Sequence, residues 1–197
     1  MSELEYGLRS SARTGSLVMP SSLSMFNDSV YITRLVMLYY LTRLHRPQKV
    51  VETGVWAGLS SWAILQALRD NDVGQLVSID IGIKRVGDLT VPGNEIGSAV
   101  PKALRGNWRL LIGESNTLLP HLLKDSASID MFYHDSDHSY ENMSFEFNTV
   151  LPHLSKNGML SSDDVEQNDA FKEVCMKLSS PAIVGNRFGY GFKKSRE

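Results

Sequence analysis

The sequence predicts an α/β fold: a doubly wound, Rossmann-like and mostly parallel sheet of seven strands, finished by a C-terminal antiparallel hairpin strand. Five short apolar runs alternate with segments whose apolar residues recur at helical spacing, which is typical of parallel sheets covered by helices. Two further runs flank a tight turn near the C-terminus, and strands joined in this way must be antiparallel. The 197 residues, 42% of them hydrophobic, suit one domain over 1–197, with an arm and cap helix (1–45) and a sheet-forming core (46–197).

The predicted elements follow in order along the chain. Residues 30–45 place apolar side chains at helix-like spacings, and Arg34 and Arg43 interrupt this segment, which is too short and too polar to span a membrane. Short apolar runs predict strands at 49–54, 74–82, 108–115, within 128–138 and at 158–165, with a terminal pair over 182–195 that turns at Asn186–Gly189. The remaining patterns predict helices at 60–70, 97–105, 116–124, 140–154 and 167–179.

Composition and charge narrow the classes of partner. A net charge of −2 gives no electrostatic reason to expect a nucleic-acid partner. The single cysteine, Cys175, cannot form an intrachain disulfide, which favours a reducing, cytoplasmic location. Its helical surroundings, without a nearby histidine, predict a core or half-buried residue rather than a nucleophile. No apolar leader opens the sequence, so neither secretion nor a membrane partner is expected.

An acidic residue follows each of the five strands predicted to be parallel. In doubly wound sheets, ligands bind beyond the carboxyl ends of the strands. Any one of these acids could be a helix cap or a solvated loop residue, but five on one sheet edge predict a binding site. The residues are Glu52, Asp80, Glu114, Asp135 with Asp137 and His138, and Asp163 with Asp164.

The turn after the first strand has two glycines, Gly54 and Gly58, in "VVETGVWAGLSS". Glycine there lets the backbone approach a ligand and lets the next helix pack closely. The spacing differs from the Gly-x-Gly-x-x-Gly dinucleotide fingerprint, and no Gly-Lys-Ser/Thr follows as in a Walker loop. Glu52 would repel a pyrophosphate but suits a cationic ligand. A carboxylate at Asp80, ending the second strand, can accept both hydroxyls of a ribose.

Five segments in this order resemble the motifs of class I S-adenosylmethionine-dependent methyltransferases: "VVETGVWAGLSS", "LVSIDI", "LLIGES", "IDMFYHDSDHSYE" and "GMLSSDDV". The subgroup most similar to them is the small one with an "IDGDHSY"-like fourth motif. The resemblance covers about residues 45–194. It implies S-adenosylmethionine as cofactor and methyl transfer to a hydroxyl, or less readily to a nitrogen, of a small molecule such as a sugar or natural product.

The resemblance also implies roles for residues at matching positions. Glu52, Gly54 and Gly58 would border the methionine and sulfonium end of the cofactor, with Ser60 beside them. Asp80 would bind the ribose, and Glu114 and Ser115 would lie by the adenine. Asp135 would lie between cofactor and substrate.

The stretch "HDSDHSYEN" carries the implied catalytic groups. Similar enzymes that act on macrolide sugars have an Asp three residues before a His, where the Asp helps to hold a divalent metal and the His is the base. Asp135 and His138 have this spacing and would form the catalytic pair. Asp163 and Asp164 stand where a further ligand is expected, so the resemblance implies Mg²⁺ on Asp135, Asp163 and Asp164. The alternative is that this stretch only caps the next helix, with Asp137 or Ser139 as N-cap.

Other functions compete with this hypothesis. One is an NAD-dependent oxidoreductase on a Rossmann sheet, against which the glycine spacing and Glu52 argue; another is a non-catalytic cofactor-binding protein. The long connection 83–101, together with residues 1–30, is expected to cover a substrate. The apolar helix over 30–45 could mediate a homodimer, although such a face is more often part of the core.

Overall fold

The computed structural model describes residues 29–83, 85–86, 89–91, 95–124, 128–185 and 187–194. The N-terminal arm over 1–28 and Asn186 of the predicted turn lie outside them. Within the described residues, five α-helices run α1 Ser29–His45, α2 Leu59–Asn71, α3 Ser115–Lys124, α4 Tyr140–Val150 and α5 Ala170–Cys175. The same residues include nine strands, which run β1 Lys49–Thr53, β2 Gln75–Asp80, β3 Arg85–Val86, β4 Leu89–Thr90, β5 Trp108–Ile112, β6 Ile129–His134, β7 Leu154–Ser162, β8 Leu178–Val184 and β9 Phe188–Lys193.

Seven of these strands form one sheet in the order β5-β2-β1-β6-β7-β9-β8. The first five pair in parallel, and β9 lies antiparallel between β7 and β8. The predicted fold class is therefore confirmed. The order runs outward from β1 in one direction through β2 and β5, and in the other through β6 and β7. The point between β1 and β6 is thus the topological switch point, where such sheets bind ligands.

The sheet is covered on both faces, as its buried apolar strands require. One core cluster joins Leu38 of α1 and Ile64 of α2 to Val50, and the opposite cluster joins Phe147 of α4 and Phe171 of α5 to Val51. Neighbouring β1 residues face opposite layers because side chains alternate along a strand. Among the described residues, no helix combines the length and apolarity needed to cross a membrane.

Gly54 makes a close backbone contact at the switch point. It has φ +81°, and a Cβ there would overlap the backbone oxygen of Asp135. The amide of Gly54 donates to the Ile79 carbonyl at 2.8 Å, and that of Asp135 donates to the Thr53 carbonyl at 2.8 Å. The loops after β1 and β6 can therefore lie side by side only if residue 54 is glycine.

Three predicted helices are shorter than expected. The 97–105 segment forms turns and a 3₁₀ helix over Lys102–Asn107, because Gly97 has φ +74° and Pro101 precedes the last turn. The 140–154 helix ends at Val150, ahead of Pro152, and β7 begins at Leu154. Of the helix predicted over 167–179, only the six residues of α5 are helical.

Two other expectations about connections differ from the structure. β8 begins at Leu178 and β9 at Phe188, so Gly189 belongs to a strand rather than to the turn. Within the segment expected to cover a substrate, residues 95–100 pack against the loop that leads into α2: Gly97 and Ala99 donate to the carbonyls of Trp56 and Ala57. This part of the segment is core.

Gly54→Ala should destabilise the fold by more than about 3 kcal/mol, because a methyl group adds a backbone overlap to an unfavourable positive φ. Gly185→Ala is the matched control, because Gly185 has φ +59° and no atom lies within 4 Å of the place that the added methyl group would take. Its only expected cost is the ~1 kcal/mol of placing an alanine at a positive φ. Urea denaturation measures both. Equal losses would show that the contact with Asp135 is unimportant.

Candidate functional site

A cavity of about 570 Å³ opens beyond the carboxyl ends of four adjacent strands, β5, β2, β1 and β6. Its volume lies in the range of small-molecule sites. The wall comprises Gly54, Val55, Trp56, Ile79, Asp80, Ile81, Ile83, Gly113, Glu114, Ser115, Asn116, Asp135, Ser136, Asp137 and Asn142. The structure thus brings together five of the predicted cofactor-contacting residues: Gly54, Asp80, Glu114, Ser115 and Asp135.

Asp80 joins the cavity to the loop after β1. One carboxylate oxygen accepts from the amides of Val55 at 2.8 Å and Trp56 at 2.9 Å, and the other accepts from the Gly82 amide at 2.7 Å. A carboxylate offers about four acceptor positions, so one remains for a ligand hydroxyl. Asp80 therefore shapes the loop and can also bind a ligand.

Two isoleucines give the cavity an apolar rim. Ile81 is 55% exposed and Ile83 is 53% exposed, although both are large apolar side chains. Glu114, also exposed, and Ser115 face the same space from the loop after β5. Exposed apolar surface beside polar groups is typical of a site that binds a flat, partly apolar ligand.

Glu52, Gly58 and Ser60 do not line the cavity, contrary to their predicted place beside the cofactor. Glu52 is fully buried under the first turn of α2, where its carboxylate accepts from the hydroxyls of Ser60 at 2.7 Å, Ser61 at 2.6 Å and Ser78 at 2.6 Å. The strand pleat explains this, because Glu52 points to the same layer as Val50. Burial raises the pKa of Glu52 to about 7, although the three serine hydroxyls oppose this shift.

A second buried carboxylate, Glu146 of α4, supports the other side of the cavity. It accepts from Thr53 Oγ1 at 2.5 Å, His134 Nδ1 at 2.7 Å, Ser136 Oγ at 2.8 Å and Asn142 Nδ2 at 3.3 Å. Burial opposes ionisation, but the hydrogen bond and charge of His134 prevail and lower the pKa of Glu146. Ser136 and Asn142 line the cavity, so Glu146 fixes two groups of its wall.

The predicted catalytic and metal residues are only partly brought together. Ligand atoms of Asp135, His138 and Asp163 all lie within 4.8 Å of one another, and this set is called the acidic cluster below. Asp164 is not part of it: its carboxylate accepts from Gln167 Nε2 at 2.9 Å and lies 3.6 Å from Arg187 Nε. The reason is the backbone of Asp164, whose φ of +46° directs its side chain differently from that of Asp163. The predicted metal ligand Asp164 is therefore replaced in this cluster by His138.

His138 lies beside the cavity wall, which it meets at Asp135. Its Nε2 is 3.9 Å from Asp135 Oδ1 and has no hydrogen-bond partner among the residues that the structure describes. Burial lowers the pKa of His138, although the charge of Asp135 opposes this shift. The imidazole is therefore neutral at pH 7 and can accept a proton.

The acidic cluster contacts a cation that sequence reasoning did not assign to the site. The Arg34 guanidinium of α1 forms an ion pair with Asp163 and lies 3.9 Å from Asp135. The available signal was that Arg34 is a charged residue in the middle of a mostly apolar helix, whereas Arg43 lies in its last turn. Glu146 was also missed, although it lies on the helical face of Met143 and Val150, where a carboxylate must be buried.

Comparisons with known proteins agree with this geometry. The family model described as a methyltransferase domain matches residues 51–165, more than half of the chain. An O-methyltransferase from Bacillus cereus in complex with S-adenosylhomocysteine (SAH) has a similar fold, with a TM-score of 0.63 at 16% identity over 97% of this chain and 90% of that chain. These findings confirm the family resemblance carried by the five ordered motifs.

Two further solved structures have the same fold. An SAH-bound methyltransferase from Podospora anserina has a TM-score of 0.62 at 16% identity, over 97% of this chain and 96% of that one. A TDP-rhamnose 3′-O-methyltransferase of calicheamicin biosynthesis has a TM-score of 0.59 at 19% identity, over 96% and 93%. No curated protein matches the sequence.

The raised pKa of Glu52 predicts a pH dependence of stability. Between the unperturbed value of 4.5 and about 7, the folded state keeps the proton that the unfolded state has lost, so stability falls as pH rises through this window. Glu52→Gln removes the titration, and its free energy of unfolding relative to wild type should rise by about 3 kcal/mol from pH 4.5 to pH 8.

Urea titrations at several pH values measure this difference. Glu141→Gln, a change at an exposed glutamate of α4, serves as the control and should leave the shape of the pH curve unchanged. If the pH curves of unfolding free energy were parallel for wild type and Glu52→Gln, the pH dependence could not be assigned to Glu52.

Proposed function

This chain belongs to the methyltransferase domain family, and we propose that it transfers the methyl group of S-adenosylmethionine to a hydroxyl group of a small molecule. The observation that carries this proposal is the cavity itself. Four adjacent strand ends deliver four carboxylates, those of Asp80, Glu114, Asp135 and Asp137, to one space whose rim is apolar. The SAH in the similar Bacillus cereus and Podospora anserina structures supports the choice of cofactor.

The charge of the cavity fits a cationic nucleoside. Among the described residues that line it, none is a lysine or an arginine. A sulfonium group and an α-amino group are favoured by nearby carboxylates, whereas a pyrophosphate is repelled. Asp80 can accept a ribose hydroxyl, and Ile81 and Ile83 offer apolar surface to an adenine.

The packing of α2 argues against the NAD-dependent oxidoreductase. A dinucleotide places its pyrophosphate on the first turn of the helix after β1. Here residues 95–100 lie against the loop that leads into that turn, and a Cβ at Gly58, directly before the helix, would meet the backbone of Gly97. Glu52 lies directly beneath the turn and accepts hydrogen bonds from the hydroxyls of Ser60 and Ser61, so these groups are not available to a phosphate.

The residues beside the cavity can assist methyl transfer by placing the acceptor and taking its proton. S-adenosylmethionine supplies an electrophilic methyl group on a sulfonium. Asp135 belongs both to the cavity wall and to the acidic cluster, so it lies where cofactor and acceptor would meet. His138 is neutral and can accept the proton of the attacking hydroxyl on Nε2, and alignment of the two reactants provides the rest of the rate enhancement.

The acceptor is proposed to be a hydroxylated small molecule. Two of the similar structures, an O-methyltransferase and a TDP-rhamnose 3′-O-methyltransferase, support oxygen as the acceptor atom. A cytoplasmic location, a homodimer and the absence of nucleic-acid and membrane partners remain predictions from the sequence. A non-catalytic cofactor-binding protein would share the cavity but would have no use for a neutral imidazole beside it.

Calorimetry with SAH tests the cofactor. We expect binding in the micromolar range, and Asp80→Asn should weaken it about tenfold or more, because a charge-assisted hydrogen bond is lost. Asp130→Asn is the matched control: its carboxylate also accepts two backbone amides, those of Gln48 and Lys49, but at the opposite edge of the sheet. It should bind SAH like wild type. Binding of NAD without binding of SAH would contradict the proposal.

His138→Gln should lower kcat by about 100-fold while leaving SAH affinity unchanged, because the proton acceptor is removed. In the wild type, kcat should fall as the pH drops through a value below 6.5, since burial lowers the pKa of His138 and the base must be neutral. Transfer of tritiated methyl from S-adenosylmethionine to a panel of phenols and sugar nucleotides provides the assay. His153→Gln, which changes a residue just before β7 and away from the cavity, is the control. Wild-type turnover in His138→Gln would exclude His138 as the base.

A further inference from the structure

Arg34 reaches the acidic cluster from a firmly held helix. Its side chain is only 12% exposed, and its guanidinium forms an ion pair with Asp163, whose side chain is 5% exposed. α1 is held by the fully buried Leu38 and by side-chain hydrogen bonds that include those from Tyr39 to Asp70 at 2.8 Å and from Arg43 to Asn71 at 2.5 Å. The guanidinium is therefore a fixed part of the site rather than a loose surface charge.

The acidic cluster has donors that suit a divalent cation, but Arg34 already supplies a positive charge there. Two carboxylates and an imidazole are acceptable ligands for Mg²⁺ or Mn²⁺. An ion bound to Asp163 would lie about 2 Å from its oxygen and so within a few ångströms of the guanidinium. Like charges so close in a buried site repel strongly, and arginine cannot relieve the repulsion by losing its proton.

We infer that Arg34 is the resident cation of the acidic cluster and takes the place that a divalent metal would occupy, so that the proposed methyl transfer by this chain does not require Mg²⁺. Arg34 is a positioning residue: it neutralises Asp163, holds the carboxylate of Asp135 toward the cavity, and fixes α1 over the site. The catalytic meaning of this inference rests on the proposed methyl transfer. Its exclusion of metal does not, because metal binding can be measured without substrate.

Mn²⁺ binding to the EDTA-treated full chain, followed by electron paramagnetic resonance and calorimetry, tests the inference. Wild type should bind no Mn²⁺ at this cluster below about 1 mM. Arg34→Met keeps the apolar stem but removes the charge, and it should gain one Mn²⁺ site at least about tenfold tighter, which the double variant with Asp163→Asn loses. Arg34→Lys restores a cation and should again exclude the metal.

Matched controls separate this effect from unfolding and from the cofactor proposal. Arg187→Ala removes an arginine that pairs with Asp164 and Glu166 outside the cluster, and it should remain free of Mn²⁺. SAH binding reports whether each variant keeps its cavity, so failure of the cofactor proposal would be seen separately. The inference is overturned if wild type binds Mn²⁺ in the micromolar range with dependence on Asp163. It is equally overturned if the folded Arg34→Met variant binds Mn²⁺ no more tightly than wild type.

Discussion

The site depends on the contact between the loops after β1 and β6, where Gly54 lies against the backbone of Asp135. A side chain at residue 54 would separate the two loops, and the strand ends that carry Asp80 and Asp135 would no longer face one cavity. The parallel strands bring their carboxyl ends to one edge of the sheet, but only a glycine at residue 54 lets the loops after β1 and β6 lie in contact there. The constraint is steric, and the chemistry of the site is built upon it.

Two buried carboxylates, Glu52 and Glu146, hold this contact from opposite faces of the sheet. Side chains of β1 point alternately to the two faces of the sheet. Glu52 therefore accepts a hydrogen bond from a serine hydroxyl of α2, while its neighbour Thr53 donates one to Glu146 of α4. Burying a carboxylate is costly unless it is hydrogen-bonded, and each of these accepts three or more hydrogen bonds. These networks fix the orientation of the loop after β1, which apolar packing alone would leave less specific.

The sheet was predictable because its signals are local, whereas much of the site was not. Apolar runs, glycine turns and the acids that follow strands can be recognised within a few residues, and they predicted the cavity edge with Asp80, Glu114 and Asp135. Which way Glu52 points depends on the strand pleat and on the packing of α2 and β2, which brings Ser60, Ser61 and Ser78 to its carboxylate. Arg34 and Glu146 lie on helices, and only the tertiary fold brings them to the strand ends. The short α5 shows the same limit, because a helical pattern there competes with pairing to the sheet.

The acids at the strand ends are neutralised in different ways, and this division determines what the site can bind. Backbone amides stabilise the Asp80 carboxylate, and an arginine pairs with Asp163. Glu114 remains exposed, and Asp135 faces the cavity with the Arg34 guanidinium 3.9 Å away. Among the described residues, the negative charge without a close cation therefore faces the cavity rather than Arg34. A cationic ligand gains most in the cavity, while a second cation gains little beside the guanidinium.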